Sequence, residues 1–274
     1  MRRWLPRIAA VAVLAVLVWR LGTGPFLDGL DAVDAGSLAA AFALAVLTTL
    51  CCAWRWRLVA GGLGMDLPLG GAVAAYYRSL FLNVTLPGGV VGDVHRGVVH
   101  GLRAVVWERS AGQAVQILLT VAVLLALPSP LHDAMPLVAP AVLAAAVAVA
   151  LAVRKHRAVR AWPAIALASA LIVTGHAATF LVAAHAAAVD ASATTLLPLA
   201  LIVLLGAALP NVGGWGPREG VAAWAFAAAG LGASAGVATS VAYGVMVLVA
   251  ALPGALLLVP APQILPRRNG APDA

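Results

Sequence analysis

The amino-acid sequence predicts an all-α integral membrane protein, a polytopic helical bundle of about eight transmembrane helices, with re-entrant segments as an open alternative for some of them. Of the 274 residues, 63% are hydrophobic and only 10% are charged. The mean hydropathy of +1.01 is more apolar than a water-soluble domain can carry without exposing large apolar patches. The apolar residues also fall into runs near the length of roughly 20 residues that a helix needs to cross a bilayer.

Eight apolar runs account for most of the chain. The first follows the charged segment MRRWLPR but lacks a small-x-small cleavage pattern, so we expect a retained helix and not a removed signal peptide. The seventh is short and follows a Gly/Pro cluster, so a half-helix or re-entrant segment is the alternative to a full crossing. The eight runs are 8–22, 37–53, 111–127, 136–153, 162–183, 196–210, 220–234 and 237–259.

The long interval between the second and third runs holds one further predicted helix. Segment 68–86 is too apolar for a solvated loop, yet it contains Arg78. We therefore predict an interfacial or re-entrant helix there. No stretch of linker composition divides the chain, which predicts a single transmembrane domain over 1–262 and a short cytoplasmic tail over 263–274.

The net charge of +7 is explained by membrane topology better than by nucleic-acid binding. Basic residues fall between the apolar runs on one side of the membrane, as the positive-inside rule expects. The loops of the other side carry Asp28, Asp31, Asp34, Asp133 and Asp190, with Arg20 as their only nearby cation. We therefore expect both termini to be cytoplasmic, in an inner or plasma membrane. The cations assigned to that side are Arg2, Arg3, Arg7, Arg55, Arg57, Arg78, Arg96, Arg103, Arg109, Arg154, Lys155, Arg157, Arg160, Arg218, Arg267 and Arg268.

Two polar clusters interrupt the apolar pattern in a similar way. The first is Asn83 followed by LPGGVVGDVHR at 86–96, and the second is LPNVGGWGPRE at 209–219. In both, a Leu-Pro pair ends an apolar segment, glycines permit a sharp turn, and an arginine with a carboxylate opens the next helix. The two clusters form a weak internal repeat of the kind found in transporters.

These clusters are interpreted in two ways. Gly-rich turns and helix amino termini offer N–H groups to an anion, and arginine adds a phosphate contact, so together they predict a phosphate-headgroup site. The alternative is a pair of cytoplasmic turns in which each arginine pairs with the neighbouring acid. The candidate substrate-binding residues are Asn83, Gly88, Gly89, Gly92, Asp93, Arg96, Glu108, Arg109, Asn211, Gly213, Gly214, Arg218 and Glu219.

Three common catalytic motifs are missing from the sequence. It contains no HExxH, Walker-type or CxxC pattern, and we expect no enzyme activity, cofactor or metal. An intramembrane enzyme that uses Asp93, His95 and Glu219 as acid and base stays an alternative, provided that they reach one reacting atom. For His176, within an apolar run, we expect interhelical hydrogen bonding more than a proton relay.

The order and spacing of these motifs resemble the lysylphosphatidylglycerol synthase transmembrane-region family, whose members are also described as flippase-like membrane proteins. The resemblance covers most of the chain. Its positions are Asn83, Leu86, Pro87, Gly92, Asp93 and Arg96 in the first block, Glu108, Arg109 and Gly112 after it, Leu209, Pro210, Gly213, Gly214, Gly216, Arg218 and Glu219 in the second block, and a late Pro253 and Gly254.

The resemblance implies a protein related to the half of the synthase that moves an aminoacylated lipid between leaflets. It does not imply the synthase reaction, because the family's aminoacyl transferase is a separate soluble domain. We expect the ligand to be a membrane lipid with an anionic headgroup, either a phospholipid or a polyprenyl-phosphate-linked lipid. The alternative is a non-transporting membrane partner, or anchor, of a lipid-modifying or glycosyltransferase enzyme, which is itself a membrane or cytoplasmic protein.

Overall fold

The computed structural model describes residues 5–153 and 161–258, and this part of the chain is helical without a β-strand. The predicted cation-rich segment 154–160 and the predicted tail 263–274 lie outside the described residues. The helices are α1 (Leu5–Leu21), α2 (Gly24–Asp31), α3 (Ala35–Gly62), α4 (Leu69–Thr85), α5 (Val91–His100), α6 (Leu102–Ala126), α7 (Met135–Val153), α8 (Trp162–Ala186), α9 (Ala193–Gly206), α10 (Pro217–Ala228), α11 (Ala233–Ala251) and α12 (Pro253–Leu256).

The described part of every predicted apolar run is mostly helical, so the all-α prediction is confirmed, but the count of about eight membrane spans is not. By length and composition, four described helical segments can cross a membrane, and a fifth span results if the pair 11–21 and 24–31, bent by 99°, counts as one. The two short helices α9 and α10 have 14 and 12 residues, below the roughly 20 needed for a crossing. The four single candidates are Ala35–Gly62, Leu102–Ala126, Trp162–Ala186 and Ala233–Leu256.

Helix α3 extends well beyond the predicted end of the second apolar run at residue 53. It begins at Asp34, whose carboxylate accepts the Ser37 N–H at 2.7 Å and caps the helix. It continues to Gly62, so Arg55 lies inside the helix and is buried. The assignment of Arg55 to a cytoplasmic loop was therefore wrong. Its charge is compensated by partners on other helices, and it does not mark a loop.

Small residues bring the helices of the bundle into close contact. Gly175 of α8 faces the Thr48 side chain of α3 so closely that an added Cβ would collide with it. Gly236 of α11 lies in the same way against the Ala222 carbonyl of α10. Such small-residue contacts are typical of helix packing in membranes, where close backbone approach replaces the hydrophobic driving force.

Segment 68–86 forms α4, as predicted, and α4 packs against α5 as a helical hairpin. The contact depends on Gly92, because a Cβ at this position would overlap the Ser79 backbone. Gly101, with φ of 103°, then ends α5 and turns the chain into α6. Within residues 5–153 and 161–258, Arg78 forms no ion pair, and its Nε donates to the Leu257 carbonyl at 2.9 Å. The place of this hairpin relative to the membrane stays a prediction.

Candidate functional site

The two Gly-rich turns of the internal repeat contact each other. The Gly88 N–H donates to the Asn211 carbonyl at 3.1 Å, and Pro87 and Val212 form an antiparallel β-bridge. Gly89, with φ of 65°, lies against the Asn211 side chain, where an added Cβ would overlap the amide. The α4–α5 and α9–α10 hairpins therefore meet at their turns.

Several turn amides that were expected to face a ligand already have partners within the protein. The Gly92 N–H donates to Asn83 Oδ1 at 2.7 Å, which caps α5 from the preceding helix. The Gly214 N–H donates to Asn211 Oδ1 at 2.8 Å. At the start of α10, the Gly216 N–H donates to Glu219 Oε2 at 2.7 Å. These amides stabilise the turns and do not form an open anion cradle.

A buried charge network is centred on Glu108 of α6. Its Oε1 accepts from Arg55 Nε at 2.9 Å, from Arg55 Nη2, and from the Tyr76 hydroxyl at 3.1 Å. Its Oε2 accepts from Arg96 Nη2 at 3.0 Å. Arg55 Nη1 also donates to Ser169 Oγ of α8 at 3.1 Å, so the network joins five helices. The members of this Glu108 network are Arg55, Tyr76, Ser79, Asn83, Asp93, Arg96, Glu108, Arg109 and Ser169.

Asp93 connects the Glu108 network to the surface. Its Oδ1 accepts from Arg96 Nη2 at 3.0 Å and from Ser79 Oγ at 3.2 Å, and its Oδ2 accepts from Asn83 Nδ2 at 3.1 Å and from Arg109 Nη2. Burial opposes the charge of this carboxylate, but the Arg109 and Arg96 guanidiniums and the Asn83 amide outweigh burial and hold the pKa of Asp93 below its ordinary value. Each oxygen of the Asp93 carboxylate therefore accepts two hydrogen bonds.

Arg96 is the least satisfied member of the Glu108 network. Its guanidinium contacts two aromatic rings, with Cζ 4.5 Å from the Trp56 ring centre and 4.2 Å from that of Tyr76. The residue is only 1% exposed. Nη2 is bound to Asp93 and Glu108, but Nε and Nη1 have no hydrogen-bond partner in the described part of the chain. Buried donors of this kind are rare, and each requires a physical explanation.

A second buried network surrounds Arg218 of α10. Arg218 Nε and Nη2 donate to Glu219 Oε1 at 3.0 and 2.6 Å, and Ser240 Oγ of α11 bonds to both residues. The guanidinium also lies near two aromatic rings, at 5.5 Å from the Trp215 centre and 5.2 Å from that of Tyr243. The Arg218 network thus consists of Trp215, Gly216, Arg218, Glu219, Ser240 and Tyr243.

One arginine of each network fits against a glycine of a neighbouring helix. A Cβ at Gly112 of α6 would overlap the Arg55 guanidinium, and a Cβ at Gly244 of α11 would overlap that of Arg218. Both glycines therefore leave the space in which a planar guanidinium lies. Gly112 is one of the positions that carry the family resemblance. Its contact is with Arg55, which is not one of those positions.

His176 of α8 links the Arg218 network to a small cavity. The Tyr243 hydroxyl and His176 Nδ1 are 3.0 Å apart, which is the interhelical hydrogen bond expected from the sequence. The cavity has a volume of about 50 Å³, far below the roughly 300–1,000 Å³ typical of ligand pockets. It has room for water but not for a lipid headgroup. Its lining consists of Ala41, Ala45, Thr48, Thr49, Cys52, Leu80, His176, Thr179, Val247, Ala250 and Ala251.

The structure divides the predicted site residues into groups. Asn83, Asp93, Arg96, Glu108 and Arg109 lie in the Glu108 network. Arg218 and Glu219 belong to the Arg218 network, and the remaining candidates lie in the turns or next to them. Of the three residues considered for acid–base catalysis, Asp93 and Glu219 bond to different partners, and the His95 side chain is exposed. The candidates in the turns are Gly88, Gly89, Asn211, Gly213 and Gly214, and Gly92 lies at the start of α5.

Sequence reasoning missed several residues of the two networks. Arg55 was the one with a visible signal, a cation at the end of an apolar run, but it was attributed to topology. The hydroxyl residues had no signal, because serine and tyrosine are common in membrane helices for packing reasons alone. The missed residues are Arg55, Tyr76, Ser79, Ser169, Trp215, Ser240 and Tyr243.

Comparison with known protein families gives one match. The family model described as the lysylphosphatidylglycerol synthase TM region matches residues 7–165, which is more than half of the chain. The matched residues include most members of the Glu108 network, among them Arg55, Arg96 and Glu108, and they end before the Arg218 network. A comparison with curated protein sequences returned no match.

Proposed function

Because the chain belongs to the lysylphosphatidylglycerol synthase transmembrane-region family, a lipid-related family of membrane proteins, we propose that it binds an anionic lipid and translocates it between leaflets. The lipid is a phospholipid or a polyprenyl-phosphate-linked lipid. Both carry a phosphate that an arginine binds with charge-assisted hydrogen bonds. In this proposal, both termini lie in the cytoplasm and the protein resides in the inner or plasma membrane.

The observation that carries the proposal is the state of Arg96. Two of its guanidinium donors are buried and unpartnered in the described chain, although two carboxylates lie within reach of its Nη2. A phosphate oxygen that approaches Nε or Nη1 would satisfy them. The aromatic rings of Trp56 and Tyr76 both contact the guanidinium and hold it in place, so the cation is oriented before a ligand arrives.

The connection between the two networks supports movement of a ligand and not only its binding. Buried ionisable groups in membrane proteins are costly and commonly mark substrate pathways. Here, the turn that precedes Arg96 is bonded to the turn that precedes Arg218 through the Gly88 N–H and the Asn211 carbonyl. A headgroup that displaces Arg96 from its acid therefore acts on the α4–α5 hairpin. This hairpin contacts the α9–α10 hairpin, which carries Arg218.

We further propose that the chain acts by binding and not by chemistry. A catalytic acid or base needs access to a reacting atom. Glu108 already accepts bonds from Arg55, Tyr76 and Arg96, and Glu219 accepts bonds from Arg218, Ser240 and the Gly216 N–H. These carboxylates serve to position arginines.

One observation favours a second candidate function. The cavity beside His176 has only about 50 Å³, so its space does not accommodate a headgroup. A membrane partner or anchor of a lipid-modifying or glycosyltransferase enzyme would need no such space. In that function, the two networks would fix the shape of a surface that the partner enzyme binds.

The experiment compares leaflet exchange by the wild type and by Arg96→Gln in liposomes. The two lipids are a fluorescent anionic phospholipid and a fluorescent polyprenyl-phosphate analogue. Arg96→Gln is suitable because Asp93 keeps its bond to Arg109 and Glu108 keeps its bonds to Arg55, so neither acid is left alone. Arg57→Gln is the matched control, since Arg57 is an exposed arginine on the helix that carries Arg55.

We expect Arg96→Gln to lower the exchange rate at least about ten-fold, which corresponds to the loss of one hydrogen bond to a charged group, and Arg57→Gln to leave it unchanged. Exchange that survives in Arg96→Gln would place the site elsewhere. A correctly inserted wild type that exchanges neither lipid would contradict autonomous translocation of these lipids and favour the partner function.

A further inference from the structure

The Glu108 network extends from the protein interior to the surface in one direction. Along its hydrogen bonds, side-chain exposure rises from 0% at Glu108 and 1% at Arg96 to 13% at Asp93 and 45% at Arg109. Each step is an ion pair, from Glu108 to Arg96, then to Asp93, then to Arg109. Arg109 is therefore the point at which a ligand from outside first meets this network.

The surface next to Arg109 is apolar and comes from the outer face of α5. Arg109 bonds to Asp93. Val94, which follows Asp93 in the chain, is exposed, and Val98 is 80% exposed. The opposite face of α5 carries the buried Gly92 and Arg96. Val94 and Val98 lie four residues apart on one face of α5, and Val90 lies four residues earlier at the N-cap, so these three exposed side chains form an apolar strip. Beyond the turn at Gly101, the first two turns of α6 add the exposed Leu102 and Val106.

We propose that an anionic phospholipid docks at this surface, with its phosphate on the Arg109 guanidinium and its acyl chains along the apolar strip of α5. The proposal rests on the proposed function and deepens it by naming where the lipid first binds. The incoming phosphate replaces Asp93 as the partner of Arg109. Asp93 keeps its bonds to Arg96, Ser79 and Asn83, so the exchange leaves no carboxylate without a donor.

The chemistry of the surface selects this occupant. The strip offers apolar contact but no hydrogen-bonding edge for an extended peptide, because α5 is a helix and not a strand at the edge of a sheet. Arg109 adds one accessible cation at the edge of the strip. A molecule with long apolar chains and one anionic phosphate matches both features, whereas a zwitterionic lipid brings its own cation to the same place.

The experiment uses photoactivatable lipids and the full chain in lipid nanodiscs. One probe is a phosphatidylglycerol with a diazirine in its acyl chain, and the other is a phosphatidylcholine with the same chain. After irradiation, mass spectrometry measures how much of each probe is attached to α5. The variants are Arg109→Gln, the charge-retaining Arg109→Lys, and Arg103→Gln. Arg103 is an exposed arginine of α6, the helix that also carries Arg109, and it is not a member of the Glu108 network.

We expect the wild type to attach phosphatidylglycerol about five-fold more than phosphatidylcholine, the effect of one cation near an anionic lipid. Arg109→Gln should abolish this preference, and Arg109→Lys and Arg103→Gln should keep it. Equal attachment of both lipids by the wild type overturns the proposal. So does an equal loss of preference in Arg109→Gln and Arg103→Gln, because it would assign the preference to general surface charge.

This readout is separate from translocation. A preference that depends on Arg109 in a protein that exchanges no lipid would establish the docking site and refute the transport function. Lipid exchange without any preference for phosphatidylglycerol at α5 would establish transport and refute the docking site. Thermal unfolding of each variant in detergent, monitored by circular dichroism, verifies that the compared proteins are folded.

Discussion

Replacing Glu108 by Gln tests whether the Glu108 network stabilises the bundle as a set of buried ion pairs. Glu108 accepts hydrogen bonds from Arg55 Nε and Nη2, from the Tyr76 hydroxyl and from Arg96 Nη2. The glutamine side chain has a similar size, so the change removes charge and one acceptor oxygen while it leaves the packing nearly unchanged. Two buried guanidiniums then lose their common anion.

The magnitude follows from these four bonds. The single carbonyl oxygen of glutamine accepts at most two of them, so at least two charge-assisted bonds of about 1.5–3 kcal/mol each are lost. Removal of one partner from a buried ion pair costs about 3–5 kcal/mol, which agrees with that range. We therefore expect the free energy of unfolding to fall by about 4 kcal/mol.

The assay is reversible unfolding in mixed detergent micelles, followed by circular dichroism. The double variant Glu108→Gln with Arg55→Met should recover part of the loss, because the isolated guanidinium is removed together with its acid. Arg57→Gln, on the exposed side of the same helix, should change the free energy of unfolding by less than about 0.5 kcal/mol. A loss below about 1 kcal/mol in Glu108→Gln would refute the description of Glu108 as the shared anion of two buried arginines.

Two further predictions concern the glycine contacts and pH. Gly244→Ala should displace the Arg218 guanidinium, lower the free energy of unfolding by about 1–3 kcal/mol and slow lipid exchange, whereas Gly61→Ala, at a helical position in open space, should leave exchange unchanged. The lowered pKa of Asp93 contributes stability that is present above the ordinary aspartate value of about 3.9 and is lost as pH falls through the folded-state pKa. Asp93→Asn should therefore reduce the dependence of unfolding on acidic pH, and an unchanged dependence would contradict the pairing.

The sequence predicted the helices well because apolar run length is a strong signal in membrane proteins. It predicted the charged members of the site less completely. Arg96 and Glu219 stood out beside Gly/Pro turns, but nothing in the sequence distinguished Arg55 from Arg57. Two residues apart on an α-helix, they point in nearly opposite directions, and α3 is apolar on all sides, so no pattern showed which direction was inward.

The number of spans could not be predicted for a related reason. An apolar run indicates burial in lipid or in protein, and the two give the same composition. The run at 196–210 contains α9, a helix of 14 residues with most of its side chains buried among its neighbours. Its hydrophobicity therefore reflects the protein core as much as the bilayer.

The bond between the Gly88 N–H and the Asn211 carbonyl uses only main-chain atoms. The bond involves neither side chain, and Gly88 has a φ of 116° that favours glycine whatever residue lies opposite. Paired substitutions across the two turns would therefore not reveal it, even in a large set of related sequences. The exchange rate of the Gly88 amide proton with solvent would reveal it, because that rate reports directly on how often the two hairpins separate.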